Sequence, residues 1–372
     1  MNLRRAMRRQ FPSALFMLYR RLTVSMSFGH IFGLGWLSRI LSGIFACVVK
    51  FRSKFPFSSP VRVRSSIVSV GNIVLGGTGK TPFVLWLVEA LRTRGYSCAV
   101  LSRGYKGRCS RKATCVVVDP RVHSAAYVGD EPLLMAKKLP QGSVWVNKDR
   151  RMSALRAAEH FDFLLLDDGL QYGKLQKDIE IAVVNGSDPL GSGAFFPTGR
   201  LRDFPSRLKT VDAIVINGES SVESQRLLKN FSQAPQFFVR PYLASVVWMH
   251  NGEQISVEEL HNRGVGVFCG LGFPQGFFTM LKQAGVRILG TYLLPDHSGI
   301  TKKELYYFCQ KMASRQAQGV LCTEKDSVKL GDMSGESGWL PIGKVEMRFA
   351  ICEDHALSLL NIIDQTHKSR GN

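Results

Sequence analysis

The chain has 372 residues, of which 45% are hydrophobic, and it carries a formal net charge of +20 at pH 7. This length favours two domains, and the apolar content excludes a disordered chain. So large a positive charge favours an anionic partner, which can be a nucleic acid, an anionic membrane or a phosphorylated substrate.

The positive charge is concentrated at the amino-terminal end. Glu89 is the first acidic residue, and arginines and lysines occur from Arg4 to Arg64 before it. A uniform nucleic-acid-binding face does not predict this asymmetry, whereas an end of the chain that docks on anionic membrane lipids does. Aromatic residues interleaved with basic ones in a recognisable nucleic-acid motif are also missing, so no nucleic-acid partner is predicted.

Residues 1–60 contain two apolar runs, at 11–19 and 31–49. The second is interrupted by Arg39, and an arginine near the middle of a spanning helix costs about 2.5–3.5 kcal/mol. A helix lying in the membrane interface is therefore favoured over a spanning one, and a core helix packed on the next domain is the alternative. The immersed side chains would be Phe32, Leu34, Trp36, Leu37, Ile40, Leu41, Ile44 and Phe45.

The strongest motif is Gly76-Gly77-Thr78-Gly79-Lys80-Thr81, which follows a β-branched run at 67–70 and precedes an apolar helical run. Glycines let backbone N–H groups approach phosphate oxygens. Lys80 would bridge the terminal phosphates, and Thr81 would place a hydroxyl on Mg²⁺. Val74 stands where the strict phosphate-loop pattern has its first glycine, and a glycine-rich turn with a solvated lysine is the alternative.

From residue 67 onward the pattern alternates between strand and helix. This order predicts a doubly wound parallel sheet that binds ligands at the carboxyl ends of its strands. The predicted strands are 67–70, 99–102, 114–118, 144–146, 163–166, 179–184 and 213–216. The predicted helices are 81–94, 132–139 and 150–159.

The remaining chain has its own alternation of elements. Two extended segments, 237–249 and 253–256, surround a turn, and a second α/β pattern begins after Gly264. Its strands are 265–269, 288–294 and 320–323, and its helices are 274–284, 302–317 and 350–366. The predicted organisation is a basic membrane-docking segment (1–60), a phosphate-loop α/β domain (61–235), a two-stranded linker (236–260) and a smaller α/β domain (261–372).

Eight cysteines are present, and none belongs to a C-x-x-C pair. Several lie inside apolar strand-like runs, as Cys269 and Cys322 do. They are predicted to be buried, reduced thiols of a cytosolic protein rather than disulfides or zinc ligands.

Two carboxylates, Asp167 and Asp168, follow the apolar run at 163–166. The acidic partner of Mg²⁺ in a phosphate-loop protein lies at such a strand end, beside the loop. Two adjacent carboxylates also need a nearby cation, or one of their pKa values rises. A simple strand-to-turn Asp-Asp-Gly is the alternative.

Asp130 and Glu131 precede Pro132 and a helical run. One interpretation is a helix start, with Asp130 as the N-cap and Pro132 in the first turn. The other makes Asp130 a base that accepts the proton of an attacking hydroxyl. The spacing alone leaves both open.

Several loops carry further polar candidates. Arg103 and Lys106 follow a predicted strand, and Arg200 and Arg202 form another cationic loop, where surface solvation is the alternative. His297 follows a strand in the second part of the chain, and a lone histidine is more often structural than catalytic. Thr323-Glu324-Lys325-Asp326 also ends a strand, and a turn with solvated charges is the plain interpretation.

An ordered set of motifs resembles the tetraacyldisaccharide 4'-kinase family of lipid A synthesis. The motifs run from about Val68 to Asp326 and include the glycine loop, Leu-Ser-Arg-Gly-Tyr, Val-Gly-Asp-Glu-Pro, Leu-Asp-Asp-Gly-Leu-Gln, Asp-Pro-Leu-Gly-Ser-Gly, Pro-Asp-His and Thr-Glu-Lys-Asp. The resemblance implies transfer of the γ-phosphate of ATP, with Mg²⁺, to the 4'-hydroxyl of an anionic tetraacylated disaccharide 1-phosphate. It also implies a location at the cytoplasmic face of the inner membrane.

The resemblance also implies roles for individual residues. Lys80 and Thr81 would hold phosphate and metal, and Asp168 with Asp167 would serve the Mg²⁺ site. Asp130 would be the base, with His297 as its partner and Glu131 as an accessory acid. Arg200, together with Arg103, would meet the lipid substrate. Ser298 and Tyr172 stand where family members often have histidines, which weakens any role built on a histidine pair.

A membrane-associated NTPase switch is the alternative function. A GTPase would carry Asn-Lys-x-Asp to recognise guanine, and the nearest segment, Asn147-Lys148-Asp149, lacks that spacing. ATP turnover that is independent of lipid would favour the switch.

Overall fold

The computed structural model describes residues 35–54, 59–111, 114–272, 274–295, 298–330 and 339–370. Two compact units are present. The larger comprises residues 58–72, 76–189 and 208–372, and it contains all the β-strands of the described residues. The smaller is built from the amino-terminal segment together with residues 73–75 and 190–207. The domain boundaries predicted from the sequence stay predictions.

A single mixed sheet organises the larger unit. Its strands in chain order are β1 (Ser66–Gly71), β2 (Cys98–Ser102), β3 (Val116–Val117), β4 (Val144–Val146), β5 (Phe163–Asp167), β6 (Ile179–Asn185), β7 (Ala213–Asn217), β8 (Gln236–Trp248), β9 (Gln254–Ile255), β10 (Gly264–Cys269), β11 (Arg287–Leu293), β12 (Gly319–Thr323) and β13 (Ile342–Ile351). The spatial order is β11-β10-β12-β13-β8-β7-β6-β1-β5-β2-β4-β3, and β9 pairs with β8. The α/β fold with a parallel sheet around the phosphate loop is therefore confirmed.

The helices are α1 (Gly35–Lys54), α2 (Lys80–Thr93), α3 (Ala125–Val128), α4 (Asp130–Lys138), α5 (Arg150–Ala157), α6 (Val222–Phe231), α7 (Val257–Leu260), α8 (Gln275–Gln283), α9 (Lys302–Ala313), α10 (Glu324–Ser327) and α11 (Glu353–Arg370). Strands β1 and β5 are buried along their whole length, which agrees with their largely apolar sequences. Phe83, Leu87 and Leu91 of α2 pack on this part of the sheet.

The central pairing of β8 with β13 is antiparallel and joins two parallel blocks of strands. In one block β7 runs parallel to β8 and ends at Asn217, beside Val239. In the other β12 runs parallel to β13 and ends at Thr323, beside Val345, which lies opposite Val246. The carboxyl ends of the two blocks therefore face each other, across seven residues or roughly 23 Å of β8.

Strand β13 differs from the sequence prediction. Residues 350–351, which were assigned to the closing helix, are the end of this strand, and α11 begins at Glu353. The segment from Val345 alternates apolar and polar residues with a period of two, which fits its pairing with β8. The prediction took the apolar residues after 350 as helical and missed the strand.

Helix α1 packs one side on the loop at 190–207 within the smaller unit. Ser42 Oγ donates to the Phe195 carbonyl (2.8 Å), Thr198 Oγ1 donates to the Ser38 carbonyl (3.1 Å), and the Phe45 ring lies 6.1 Å from that of Phe195. The other side exposes a row of apolar residues at helical spacing, namely Trp36, Ile40, Ile44 and Val48. The predicted helix is thus present, although Phe45 packs on protein.

None of the helices in the described residues has both the length and the apolar character that crossing a membrane requires. Phe32, Leu34 and the apolar run at 11–19 lie outside the described residues.

The cysteines are free thiols, and five of the eight are buried. Cys47 and Cys352 are exposed and Cys115 is half-buried, so the prediction that all are buried was wrong for these three. Cys47 lies on α1, a helix with one side open to solvent, and Cys352 lies in the turn between β13 and α11.

The last turn of α11 is fixed to the first strand of the sheet. Arg370 donates to the carbonyls of Val63 (2.7 Å) and Ser65 (2.5 Å) and to Asp178 Oδ2 (2.7 Å). The same Asp178 oxygen accepts from the Ile67 backbone N–H (2.7 Å). Arg370 therefore connects the carboxyl-terminal helix to the entry of β1.

We expect Arg370→Ala to lower the free energy of unfolding by about 2–4 kcal/mol, because it leaves a nearly buried Asp178 without its cation. Chemical denaturation of the purified protein measures this loss. Lys368→Ala, an exposed neighbour on the same turn, should change stability by less than about 0.5 kcal/mol. Equal losses in the two variants would contradict the assigned role.

Candidate active site

The glycine loop leaves the carboxyl end of β1 and enters α2 at Lys80. Gly79 has φ +85°, and a Cβ there would lie 2.4 Å from Asn217 Nδ2 and 2.9 Å from Phe349 Cζ. A Cβ at Gly77 would meet no heavy atom within 4 Å. Gly79 is therefore required by the packing of the loop, whereas Gly77 lines its open side.

Two asparagines hold the loop at the buried Thr78. Asn72 Nδ2 donates to Thr78 Oγ1 (3.0 Å), and Asn217 Nδ2 donates to the Thr78 carbonyl (3.0 Å). Asn217 ends β7, two strands away from β1 in the sheet. Sequence reasoning missed its role, although its position at a strand end on the ligand-binding edge was a usable signal.

Lys80 and Asp168 are brought together as predicted. Lys80 Nζ lies 3.5 Å from Asp168 Oδ1. Strands β1 and β5 are hydrogen-bonded neighbours, so the loop that follows one lies beside the carboxylates that follow the other. Asp168 has φ +53°, a left-handed conformation that ends the strand and turns the chain.

Asp167 is a buried carboxyl group with an altered pKa. Burial, and to a smaller extent the neighbouring carboxylates of Glu131 and Asp168, raise its pKa to about 7 against the opposing charges of Lys80 and Arg150. Three acidic side chains thus share this edge of the sheet. Like charges this close disfavour ionisation of one another.

Arg150 fixes the turn between the two aspartates. Its guanidinium is buried, donates to the carbonyls of Asp167 (2.9 Å) and Asp168 (3.2 Å), and lies 4.2 Å from the centre of the Tyr172 ring. Tyr172 in turn donates to Asp149 Oδ1 (2.6 Å). Burial lowers the pKa of Arg150. Sequence reasoning missed this residue, which begins α5 shortly after the end of β4.

Asp130 and Glu131 are the first two residues of α4. Gly129, with φ +102°, takes the N-cap position, so the interpretation of Asp130 as the cap was wrong. Lys329 Nζ lies 3.1 Å from Asp130 Oδ2, and Lys325 Nζ lies 3.0 Å from Glu131 Oε1. Both lysines belong to the segment after β12, so these ion pairs join the facing carboxyl ends of the two blocks.

The segment that contains those lysines is not solvated as the sequence suggested. Glu324 and Asp326 are buried, and Lys138 pairs with Glu324. Burial raises the pKa of Glu324, while Lys138 opposes the shift. Residues 324–327 form a short helix that packs against α4.

The other predicted site residues have different surroundings. Arg103 is exposed in the loop after β2. Arg200 belongs to the smaller unit, where its carbonyl accepts from the Leu75 backbone N–H (2.7 Å). His297 lies outside the described residues. Among the described residues, no group of three or more His, Cys, Asp or Glu side chains is arranged to hold a metal ion.

Comparison with known proteins decides the family. The model of the tetraacyldisaccharide-1-P 4'-kinase family matches residues 34–364. The chain belongs to this family. The resemblance found in the sequence motifs and the prediction of a kinase are confirmed.

The curated relatives extend over almost the whole chain. A tetraacyldisaccharide 4'-kinase from Chlamydia pneumoniae is 65% identical over 98% of this chain and 100% of its own length. The protein of the same name from Chlamydia trachomatis serovar D is 50% identical over 98% and 99%. A crystal structure of LpxK from Aquifex aeolicus in complex with ATP matches with a TM-score of 0.66 and 26% identity, over 88% of this chain and 97% of that one.

The loop geometry predicts unequal effects of two alanines. Gly79→Ala should lower the free energy of unfolding by about 1–3 kcal/mol, because the backbone is left-handed there and Asn217 blocks a Cβ. Gly77→Ala, with open space around it, should change stability by less than about 0.5 kcal/mol. Denaturant titration of both variants measures the difference, and a Gly79→Ala protein as stable as the parent would refute this account of the loop.

Proposed function

We propose that the chain transfers the γ-phosphate of ATP to the 4'-hydroxyl of a tetraacyldisaccharide 1-phosphate. Its active site would be formed by the glycine loop, the Asp167–Asp168 pair and Asp130. As a member of the family the chain is a kinase of lipid A synthesis. The observation that carries the assignment of the site is the 3.5 Å approach of Lys80 to Asp168, which joins the phosphate loop to the carboxylate pair.

The glycine loop would bind the triphosphate of ATP. Backbone N–H groups from Gly76 to Gly79 and the amino end of α2 supply donors and a positive dipole end for phosphate oxygens. The open side of Gly77 gives a ligand access to the backbone. Lys80 would balance the negative charge on the β- and γ-phosphates.

The side chains present fit Mg²⁺. Thr81, Asp168 and Asp167 offer hydroxyl and carboxylate oxygens, which this ion prefers, and it commonly takes one or two carboxylates together with substrate phosphates. The raised pKa of the buried Asp167 marks a place where a cation would relieve repulsion between carboxylates. When bound, the ion would neutralise charge that develops on the phosphates.

Asp130 would act as the general base. As the 4'-oxygen attacks the γ-phosphorus, its proton passes to the Asp130 carboxylate, and the bond from phosphorus to the leaving oxygen of ADP breaks. Glu131 is the accessory acid, and His297 is assigned as partner of the base from its place in the Pro-Asp-His motif. Arg200 and Arg103 are the candidate cations for the lipid phosphate.

Phosphate transfer to purified tetraacyldisaccharide 1-phosphate from γ-labelled ATP tests this function. Asp130→Asn keeps the shape of the side chain and removes its basicity, so kcat should fall by about 10²–10⁴-fold while both KM values stay within about threefold. Asp354→Asn is the matched control, because it also removes a carboxylate from the first turn of a helix, and it should leave kcat unchanged.

Two results would contradict the proposal. Unchanged turnover in Asp130→Asn would remove Asp130 from the role of base. Rapid ATP hydrolysis without the lipid, together with absence of labelled lipid, would instead support the NTPase switch.

We also propose that the protein docks on the cytoplasmic face of the inner membrane through α1. Its outward row of apolar side chains includes Trp36 (62% exposed), Ile44 (56%) and Val48 (52%). The exposed cations Arg39, Lys50 and Arg52 lie on the same helix, which has no acidic residue. An apolar row with basic neighbours supports an interfacial helix on anionic lipid.

Sedimentation with vesicles of phosphatidylethanolamine and phosphatidylglycerol tests the docking. Ile40→Gln and Ile44→Gln should each weaken binding by about fivefold or more, because each removes apolar area from the immersed row. Ser53→Gln, an exposed polar position of α1, is the control and should bind as the parent does. Undiminished binding of both isoleucine variants would assign the anchor to another segment.

A further inference from the structure

Lys329 occupies a nearly buried position among oxygen atoms from three separate segments. Its side chain is 10% exposed. Nζ lies 3.1 Å from Asp130 Oδ2 and 3.7 Å from Asp326 Oδ1, and it donates to the Ser298 carbonyl at 3.4 Å. One ammonium therefore joins the amino end of α4, the helical turn after β12 and the segment after β11.

Asp326 is the fixed end of this arrangement. It is buried, and its Oδ2 accepts from the Thr323 hydroxyl (2.6 Å) and from the Gly270 backbone N–H (3.0 Å). Thr323 ends β12, and Gly270 follows the end of β10. The ends of two neighbouring strands thus hold Asp326 against Lys329, and Lys329 holds Asp130.

Gly270 allows this close packing. A Cβ at that position would lie 2.9 Å from Asp326 Oδ1 and 3.2 Å from the Ser298 carbonyl. Asp326 and the Ser298 carbonyl are therefore in tight contact with the backbone at Gly270.

We propose that Lys329 is a positioning residue that sets the place of the Asp130 carboxylate for proton transfer. The inference rests on the proposed function, in which Asp130 is the base. The ion pair holds Asp130 Oδ2 at 3.1 Å from the Lys329 ammonium and so defines one side of the carboxylate. Charge-assisted hydrogen bonds from a fixed ammonium give this kind of orientation.

A second ion pair allows a role in positioning Asp130 to be distinguished from a role that only holds α4 to the segment after β12. Lys138 and Glu324 also connect α4 to the segment after β12. Lys138 lies eight residues after Asp130, roughly 12 Å farther along the helix axis. Loss of this pair loosens the same two elements without touching Asp130.

Steady-state phosphate transfer by three single variants tests the proposal. Lys329→Met should lower kcat by about 10–100-fold, with both KM values within about twofold of the parent. Lys329→Arg, which keeps the charge, should recover part of the loss. Lys138→Met should stay within about threefold of the parent in kcat. Thermal melting of each variant confirms that it is folded at the assay temperature.

The double variant Lys329→Met, Asp130→Asn gives the sharpest result. If Lys329 acts through Asp130, the double variant should be no slower than Asp130→Asn alone, because the two losses are then not additive. If Lys329→Met does not fold, Lys329→Arg in the parent and Asp130→Asn backgrounds supplies the same comparison.

Several outcomes overturn the inference. Additive losses, an equal loss in Lys138→Met, or a kcat of Lys329→Met within about twofold of the parent would remove the positioning role. A rise in kcat would mean that the pair restrains the base. These results are distinct from failure of the proposed function, in which the unaltered protein itself would not label the lipid or Asp130→Asn would retain full activity.

Discussion

The antiparallel pairing of β8 with β13 is the constraint on which the rest of the larger unit depends. On one side of it β7, β6, β1, β5, β2 and β4 run parallel to β8, and the short strands β3 and β9 run in the opposite direction. On the other side β10, β11 and β12 run parallel to β13. Carboxyl ends of parallel strands are where α/β sheets bind ligands, and a uniformly parallel sheet would put all of them along one edge. Because strand direction reverses between β8 and β13, and the two blocks are displaced along this pair, the ligand-binding edges of the two blocks face each other. Segments as distant in sequence as Asp130 and Lys329 meet for this reason.

Three ion pairs cross this space. Lys138 of α4 pairs with Glu324, which follows β12. Lys325 and Lys329, which also follow β12, pair with Glu131 and Asp130 of α4. Each block therefore contributes both positive and negative side chains. Pairs of this kind tolerate small displacements better than interdigitated apolar side chains do, since Coulomb energy falls off slowly with distance. They also carry a penalty if broken, because Glu324 and Asp326 are buried. The arrangement therefore orients α4 while keeping charged side chains, rather than apolar ones, around the proposed base.

The sequence predicted most of the larger unit, because buried parallel strands and amphipathic helices have strong local patterns. Residues 163–166 and 213–216 were correct within one residue of the observed strands. The approach of Lys80 to Asp168 was predictable as well, since adjacent strands carry the loop and the carboxylates. The role of β13 was not, because its ten residues are only partly buried and their importance comes from a partner a hundred residues earlier. Lys329 and Arg150 were missed for a similar reason: a lysine or arginine in a sequence gives no sign that folding will bury it.

Arg150 shows how the protein places a cation near the proposed metal site without neutralising the carboxylates. Its guanidinium bonds to the main-chain carbonyls of Asp167 and Asp168, and its flat face lies against Tyr172. Had the arginine formed a bidentate pair with either carboxylate, it would have competed with any bound ion for the same oxygens. Bonding to the carbonyls fixes the backbone turn, and the carboxyl of Asp167 keeps a raised pKa despite the nearby charge. The hydroxyl of Tyr172 bonds to Asp149, which also accepts from Arg151, so the ring is held from both sides. Tyr172 thus supports the acidic turn through its stacking on Arg150.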